Sequence, residues 1–299
     1  MPRVRPFIPS REERHDEPPC RRTQITQGNV NLKPEKANTT GIGVVYQPNW
    51  LAGFSMSVDF YRIYNKGAVA SPSFAYVLAQ CFAGVQVYCN QVTRLPNGNL
   101  DAIITGAANQ ASVKAQGVDY DLSYRTALTD WSDSLAGDLS LRLVATNVLN
   151  RLTNSGIAGP TQYLDAAGVG SSPRWGVNLN AAYSLDAFRV SWNGKYISKG
   201  RAQQTLLQCA TGCQSVSGYQ TVDNNQLPSY FIQNLSFNYR FHQDGSRMAE
   251  AFFNIDNLMD KDPPVAPNQV AGATYGLATN PSLYDTLGRR FRTGIRFKM

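Results

Sequence analysis

The stretch Phe188-Arg189-Val190-Ser191-Trp192-Asn193-Gly194-Lys195-Tyr196 alternates strictly, with apolar or small residues at even positions and polar ones at odd positions. A period of two marks a β-strand whose two faces meet different surroundings. Just upstream, Trp175, Val177, Leu179, Ala181 and Tyr183 alternate with Gly176, Asn178, Asn180, Ala182 and Ser184. Only Asp186-Ala187 separates the two runs, which predicts neighbouring antiparallel strands joined by a tight turn.

The same pattern recurs outward in both directions. Ile42, Val44 and Tyr46 mark one strand, and Phe54, Met56, Val58 and Phe60 the next. Val118 to Tyr124 and Leu139 to Ala145 follow. Beyond Tyr196 come Phe231 to Phe241, Ala249 to Ile255 and Phe291 to Phe297, making about nine strands in all. Several run to ten residues or more, where soluble strands average about five or six and membrane-crossing strands need about 9–11.

The connections sort by length. Gln47–Gly53, Asp130–Gly137, Asp186–Ala187 and Gln243–Arg247 are short. Lys66–Asn109, Asn150–Ser172, Lys199–Leu227 and Met259–Leu287 are long, and they alternate with the short ones. That asymmetry belongs to outer-membrane barrels, with short periplasmic turns and long outer loops. The expected fold is therefore an all-β antiparallel transmembrane barrel wall, with a soluble β-sandwich or a small self-contained porin-like barrel as the alternatives.

Composition agrees. Charged residues are 16% of the 299 residues, against about 25% in ordinary soluble chains. Aromatics reach 11%. The longest apolar run, near Phe74 to Ala79, falls far short of the ~20 residues of a membrane helix. One strand parity collects Asp59, Asp119, Asp121, Arg125, Arg142, Arg189, Lys195, Arg240, Glu250, Asp256, Arg290, Arg292, Arg296 and Lys298. Arg or Lys on a lipid face costs about 2–4 kcal/mol at the midplane, so these charges are expected to face a watery lumen. Pairing of the last two strands is expected to set Glu250 near Arg296 or Lys298, and Asp256 near Arg290.

The net charge of +7 comes from cations scattered singly along strands. Nucleic-acid binders concentrate theirs on a face or in a run, so nucleic acid is not an expected partner. Five cysteines fall as Cys81 with Cys89, Cys209 with Cys213, and Cys20 alone. Close pairs within long loops favour local disulfides in an oxidising compartment. A zinc site is the rival, but unequal spacing and no nearby His argue against it. No cofactor or metal is expected.

Residues 1–27 are Pro-rich and charged, with no apolar stretch of a secretory signal over the first 22. They are expected to be an irregular segment, non-native or loop, ahead of a barrel portion over 28–299; either the chain is not exported or its beginning is missing. Chemistry is sparse. Histidines occur only at 15 and 242, and His242 sits beside a turn rather than in an oriented triad. Gly41-Ile42-Gly43 lacks a third glycine and opens a strand, not a phosphate-binding helix. An enzyme is not expected.

The final residues, Arg292-Thr293-Gly294-Ile295-Arg296-Phe297-Lys298-Met299, resemble the C-terminal assembly signal of bacterial outer-membrane proteins at Arg292, Gly294, Phe297 and Met299. Met299 departs from the usual aromatic. Gly28-Asn29-Val30-Asn31-Leu32-Lys33-Pro34-Glu35 resembles the NPxLKPE segment of TonB-dependent receptor barrels, with Val30 in place of Pro. Gly117-Val118-Asp119-Tyr120, Asn147-Val148-Leu149-Asn150, Phe253-Asn254-Ile255-Asp256-Asn257-Leu258 and Gly288-Arg289-Arg290-Phe291 extend that likeness over nearly the whole chain.

The resemblance implies about nine strands of a 22-stranded barrel in the Gram-negative outer membrane. It also implies a plug and a TonB-contacting box that this sequence does not show. Energised uptake of a scarce ligand, such as a siderophore, cobalamin or an oligosaccharide, is the implied activity. The implied partners are membrane lipid, the barrel-assembly machinery, an extracellular small-molecule ligand, and TonB through the plug alone. No residue is assigned to a ligand. Tyr163, Tyr219, Tyr275 and Tyr284 in the long loops have the chemistry to stack on one, or simply pack the loops.

Overall fold

The computed structural model describes residues 23–154, 164–203, 206–209, 211–212, 220–222, 224–244, 247–265 and 279–298. Its chain forms two compact units. The smaller comprises residues 1–36 and 67–111, and the larger 37–66 and 112–299.

The architecture is one large sheet of nine long strands in chain order. They are β1 Lys36–Tyr46, β2 Phe54–Ala70, β3 Ala108–Ala127, β4 Asp138–Asn154, β5 Trp175–Leu185, β6 Phe188–Ile197, β7 Tyr230–Asp244, β8 Arg247–Asp256 and β9 Arg290–Lys298. From β3 to β9 each pairs antiparallel with the next. A two-residue strand, Leu164–Asp165, adds to β4. Lengths run from 9 residues in β9 to 20 in β3, the range that crosses a bilayer rather than the range of soluble sheets. The sheet has two ends, β1 and β9.

Local chemistry explains the tight connections. Leu185 and Phe188 pair directly, so β5 and β6 are joined by Asp186-Ala187 alone. Asp186 takes φ 50° there, a left-handed conformation that Asp tolerates better than most residues. The turn between β1 and β2 closes through Gly53 at φ 80°. Its amide oxygen accepts from the Arg125 N–H of β3 at 3.0 Å, and a Cβ at Gly53 would strike the Arg125 carbonyl.

Directly opposed residues share a sheet face, so the register reads out both faces. On one lie Leu122 with Leu143, Leu143 with Leu179, Trp192 with Leu235, and Phe237 with Phe253. A row of rings climbs across it, with Phe188–Phe237 and Phe237–Phe253 centroids 6.4 Å apart and Phe253–Phe291 6.2 Å apart. This face is open: Tyr239 is 54% exposed and Phe291 62%. A soluble sandwich would seal such rings between two sheets.

The smaller unit is built differently. Thr23–Gln27 runs parallel to Leu100–Gly106, which also pairs antiparallel with Val92–Arg94. Thr23–Gln27 belongs to the stretch expected to be irregular. Two helices pack here, α1 Phe74–Phe82 and α2 Gln86–Cys89. The Ser73 hydroxyl accepts from the Tyr76 N–H at the start of α1, as an N-cap does. Cys81 and Cys89 form a disulfide that ties the two helices.

Candidate functional site: the polar face and its long-loop end

The opposite sheet face carries the charges. Register places Asp119 against Thr146, Asp121 against Val144, Arg125 against Ser140 and Ser123 against Arg142. The row continues as Arg142–Asn180–Asn193–Asn234 across β4 to β7. Arg189 stands against Ser184 and Asn238, and Lys195 against Asn178 and Ile232. Arg240 opposes Glu250, Glu250 opposes Arg296, and Asp256 opposes Arg290. Asp59 lies over Gly43 of β1, while Tyr61, on the same parity, lies over Gly117.

These groups satisfy one another in a lattice. The Arg142 guanidinium donates to both Asp121 oxygens, at 3.2 and 2.6 Å. Thr146 donates to Asp119 at 2.7 Å. Asn193 donates to the Asn180 side chain at 2.8 Å, and Asn234 to that of Asn193 at 3.4 Å. The Asn234 side-chain oxygen in turn accepts from the Asn257 N–H at 2.9 Å. Arg296 reaches Glu250 at 3.5 Å, and Arg292 and Arg290 reach Asp256 at 3.1 and 4.0 Å. The pairs expected of the last two strands are thus formed with Arg296 and Arg290. Arg142 is more than half exposed, and exposed pairs are worth about 0–1 kcal/mol. The lattice therefore makes the face wettable and fixes side-chain positions more than it stabilises the sheet.

At the long-loop end this face gains apolar cover. Ile197, Leu227, Tyr230, Ile232 and Tyr284 form a buried cluster, flanked by Ala202 and Leu283. Tyr284 meets Tyr230 edge to face at 5.2 Å and is 4% exposed. Burial holds the Tyr284 phenol above its usual range. Among the four loop tyrosines, Tyr284 is therefore packing; Tyr163, Tyr219 and Tyr275 lie outside the described residues. Beneath this segment sits a cavity of about 520 Å³, lined by Lys195, Asp256, Asp285, Arg290 and Arg292 among others. Asp285 pairs with Arg290 at 3.4 Å, and the Lys195 amine donates to the Leu283 carbonyl at 3.4 Å.

A second cavity, about 590 Å³, is lined by Asp165, Ala167, Gly168, Val169, Arg174, Lys199, Gly200, Arg201 and Gln226. Burial pushes the Asp165 carboxyl up, but the Arg151 and Ala167 N–H groups and Arg174 outweigh it and hold the group below the usual carboxylate range. Those two amides donate at 2.9 and 3.0 Å, and Arg174 at 3.1 Å.

Of the disulfide candidates, Cys81–Cys89 is formed. Cys213, the expected partner of Cys209, lies outside the described residues, as do Cys20 and Met299. The remaining assembly-signal positions fall on β9. Gly294 has a visible purpose, since the Phe252 ring lies where its Cβ would be, at 2.9 Å. Among the described residues, no cluster of His, Cys, Asp or Glu fits a metal ion.

The family model "TonB dependent receptor-like, beta-barrel" matches residues 7–258. The chain belongs to this family. No curated protein matches it. Among solved structures it is similar to a mutant ferric enterobactin receptor from Pseudomonas aeruginosa in complex with enterobactin, at 18% identity and a TM-score of 0.56. It is also similar to the FrpB iron transporter from Neisseria meningitidis in its apoprotein form, at 15% identity and a TM-score of 0.54. Each alignment covers 91% of this chain and 32% of the other. The chain therefore spans about a third of the receptors it resembles, and the likeness is one of fold.

The loop helices and the Asp165–Arg174 loop end escaped the sequence pattern. The α1 run is apolar without alternation, and a short apolar run does not distinguish a helix from a buried strand. Ser73 one residue before that run was the available signal.

Proposed function

We propose that this chain is part of the wall of an outer-membrane receptor for TonB-driven uptake. Its ring-bearing face meets lipid, and its polar face lines the lumen. The long-loop end faces outward. The plug, the contact with TonB and the remaining strands come from polypeptide that this sequence does not include. The transported species is a scarce small molecule, with an iron chelate favoured over cobalamin or an oligosaccharide by the iron receptors among the structural neighbours. Arg292, Gly294, Phe297 and Met299 present the strand that the barrel-assembly machinery reads. The role is transport, not catalysis.

One observation carries this reading. Across seven strands in unbroken order, charge and amide side chains hold one face while aromatic and aliphatic ones hold the other, exposed face. Water on both sides gives no reason to display that many rings, whereas lipid on one side and water on the other requires it. The two end strands leave backbone groups that hydrocarbon does not satisfy, so the chain alone does not transport.

The orientation is testable by labelling. The full chain, exported in a Gram-negative host with Cys20 replaced by Ser, carries a single added cysteine at Ala187 or at Val265. A membrane-impermeant maleimide on intact cells should label Val265→Cys and spare Ala187→Cys until the envelope is opened. Equal labelling of both, or labelling of Ala187→Cys alone, would refute the proposal.

A further inference from the structure

We propose that the cavity between the Asp165–Arg174 loop and the Lys199–Arg201 segment binds a multiply charged anion through phosphate or carboxylate oxygens. Three cations line it, Arg174, Lys199 and Arg201, against a single carboxylate, Asp165. That carboxylate is fully engaged: one oxygen accepts two backbone N–H groups and the other accepts from Arg174. Among the described residues, neither Lys199 nor Arg201 has a carboxylate within ion-pairing distance. Two positive charges therefore remain uncompensated in one concavity, and like charges held together lower their energy by recruiting an anion.

The geometry that sets them there is built, not incidental. Arg201 donates its N–H to the Gly168 carbonyl at 2.8 Å, and Gly170 donates to the Arg201 carbonyl at 2.8 Å. Gly200 rests so close to Gly168 that a Cβ would lie 2.5 Å from its carbonyl oxygen. Backbone thus meets backbone, which fixes the stems of Lys199 and Arg201 against the Asp165 loop. The Arg174 guanidinium is held through both terminal nitrogens, one donating to the Leu149 carbonyl at 2.7 Å and the other to Asp165 at 3.1 Å. Preorganised cations lose less freedom on binding, and a guanidinium fork matches two oxygens of one phosphate or carboxylate.

This inference borrows from the receptor proposal only the direction of approach. Binding is measured without transport, so the two fail separately. The full chain in zwitterionic detergent is titrated with pyrophosphate, and in parallel is floated with phosphatidylcholine vesicles containing lipid A. Saturable pyrophosphate binding, weakened about tenfold by Lys199→Gln and by Arg201→Gln, supports the site with a soluble anion as occupant. Binding to lipid A vesicles alone, lost in the same variants, supports it with a lipid headgroup phosphate as occupant. Lys199→Arg should retain binding, and Arg94→Gln in the smaller unit should change nothing. No saturable binding in either arm overturns the proposal. So does binding that is indifferent to Lys199→Gln, Arg201→Gln and the charge reversal Arg201→Glu.

Discussion

The nine-strand sheet and the smaller unit solve the same problem of stability in opposite ways. In the smaller unit Val77 and Ile103 are 0% and 1% exposed, a helix is capped by Ser73, and a disulfide closes the helical turn. These innermost apolar side chains are sealed by the unit's own chain, while Phe82 and Val87 on the helices stay exposed. In the sheet the largest rings point outward, and Phe253, Phe291 and Phe297 are left exposed. A region that seals part of its apolar surface in a core of its own holds together in water. One that displays it is stabilised by what surrounds it, and the predictions below separate the two.

The largest effect should come from charging the outward face. Phe237 stacks between Phe188 and Phe253, and Phe237→Arg in lipid vesicles should cost about 2–4 kcal/mol if that face meets hydrocarbon near the midplane. Ser236→Arg, one residue away on the polar face, should cost almost nothing. Urea unfolding in vesicles compares them. Equal costs would erase the distinction between the faces.

The second test acts on the smaller unit alone. Replacing Cys81 and Cys89 with Ser opens a loop spanning 8 positions, which by chain entropy removes roughly 2–3 kcal/mol of local stability. Hydrogen exchange should show lost protection at Phe74–Cys89 while β5 to β8 keep theirs. Loss spreading evenly through the sheet would mean that the two units are not independently stabilised.

A glycine contrast sharpens the account of the sheet. At Gly194 the Trp192 and Phe231 rings stand 2.7 and 2.9 Å from where a Cβ would sit, while at Gly176 there is nothing within 4 Å. Gly194→Ala should therefore destabilise by about 1–3 kcal/mol through overpacking, and Gly176→Ala should be close to neutral. Matched midpoints for the two variants would show that the ring positions are adjustable.

Most of the sheet was legible because alternation is a one-dimensional signal. Phe188 to Tyr196 carries its facing in every second residue, and a one-residue slip would have put Arg189 and Lys195 among the rings. The partners Glu250–Arg296 and Asp256–Arg290 followed from pairing the last two strands. What was not legible depends on contacts between distant segments. Tyr284 lies 54 positions from Tyr230 in the chain, and nothing near it in sequence says that it is buried. The α1 helix gave a weaker signal still, since nine residues span too few turns for a clear period.

The smallest effect is local and turns on Asp165. Its folded-state pKa is depressed, so the stabilisation it gives is complete above the carboxylate's usual value near about 4 and is lost as pH falls through the lower folded value. Neutral Asp165 accepts more weakly from the Arg151 and Ala167 N–H groups and ceases to pair with Arg174. The amide resonances of Arg151 and Ala167 should therefore shift together below about pH 4, while those of the β5–β6 turn stay still. Asp165→Asn should abolish that titration at every pH. It should also leave the Leu164–Asp165 strand less protected at neutrality, because an amide cannot replace the charge that Arg174 meets. A transition shared with the turn would instead report acid unfolding of the whole sheet, and the loop end would lose its separate identity.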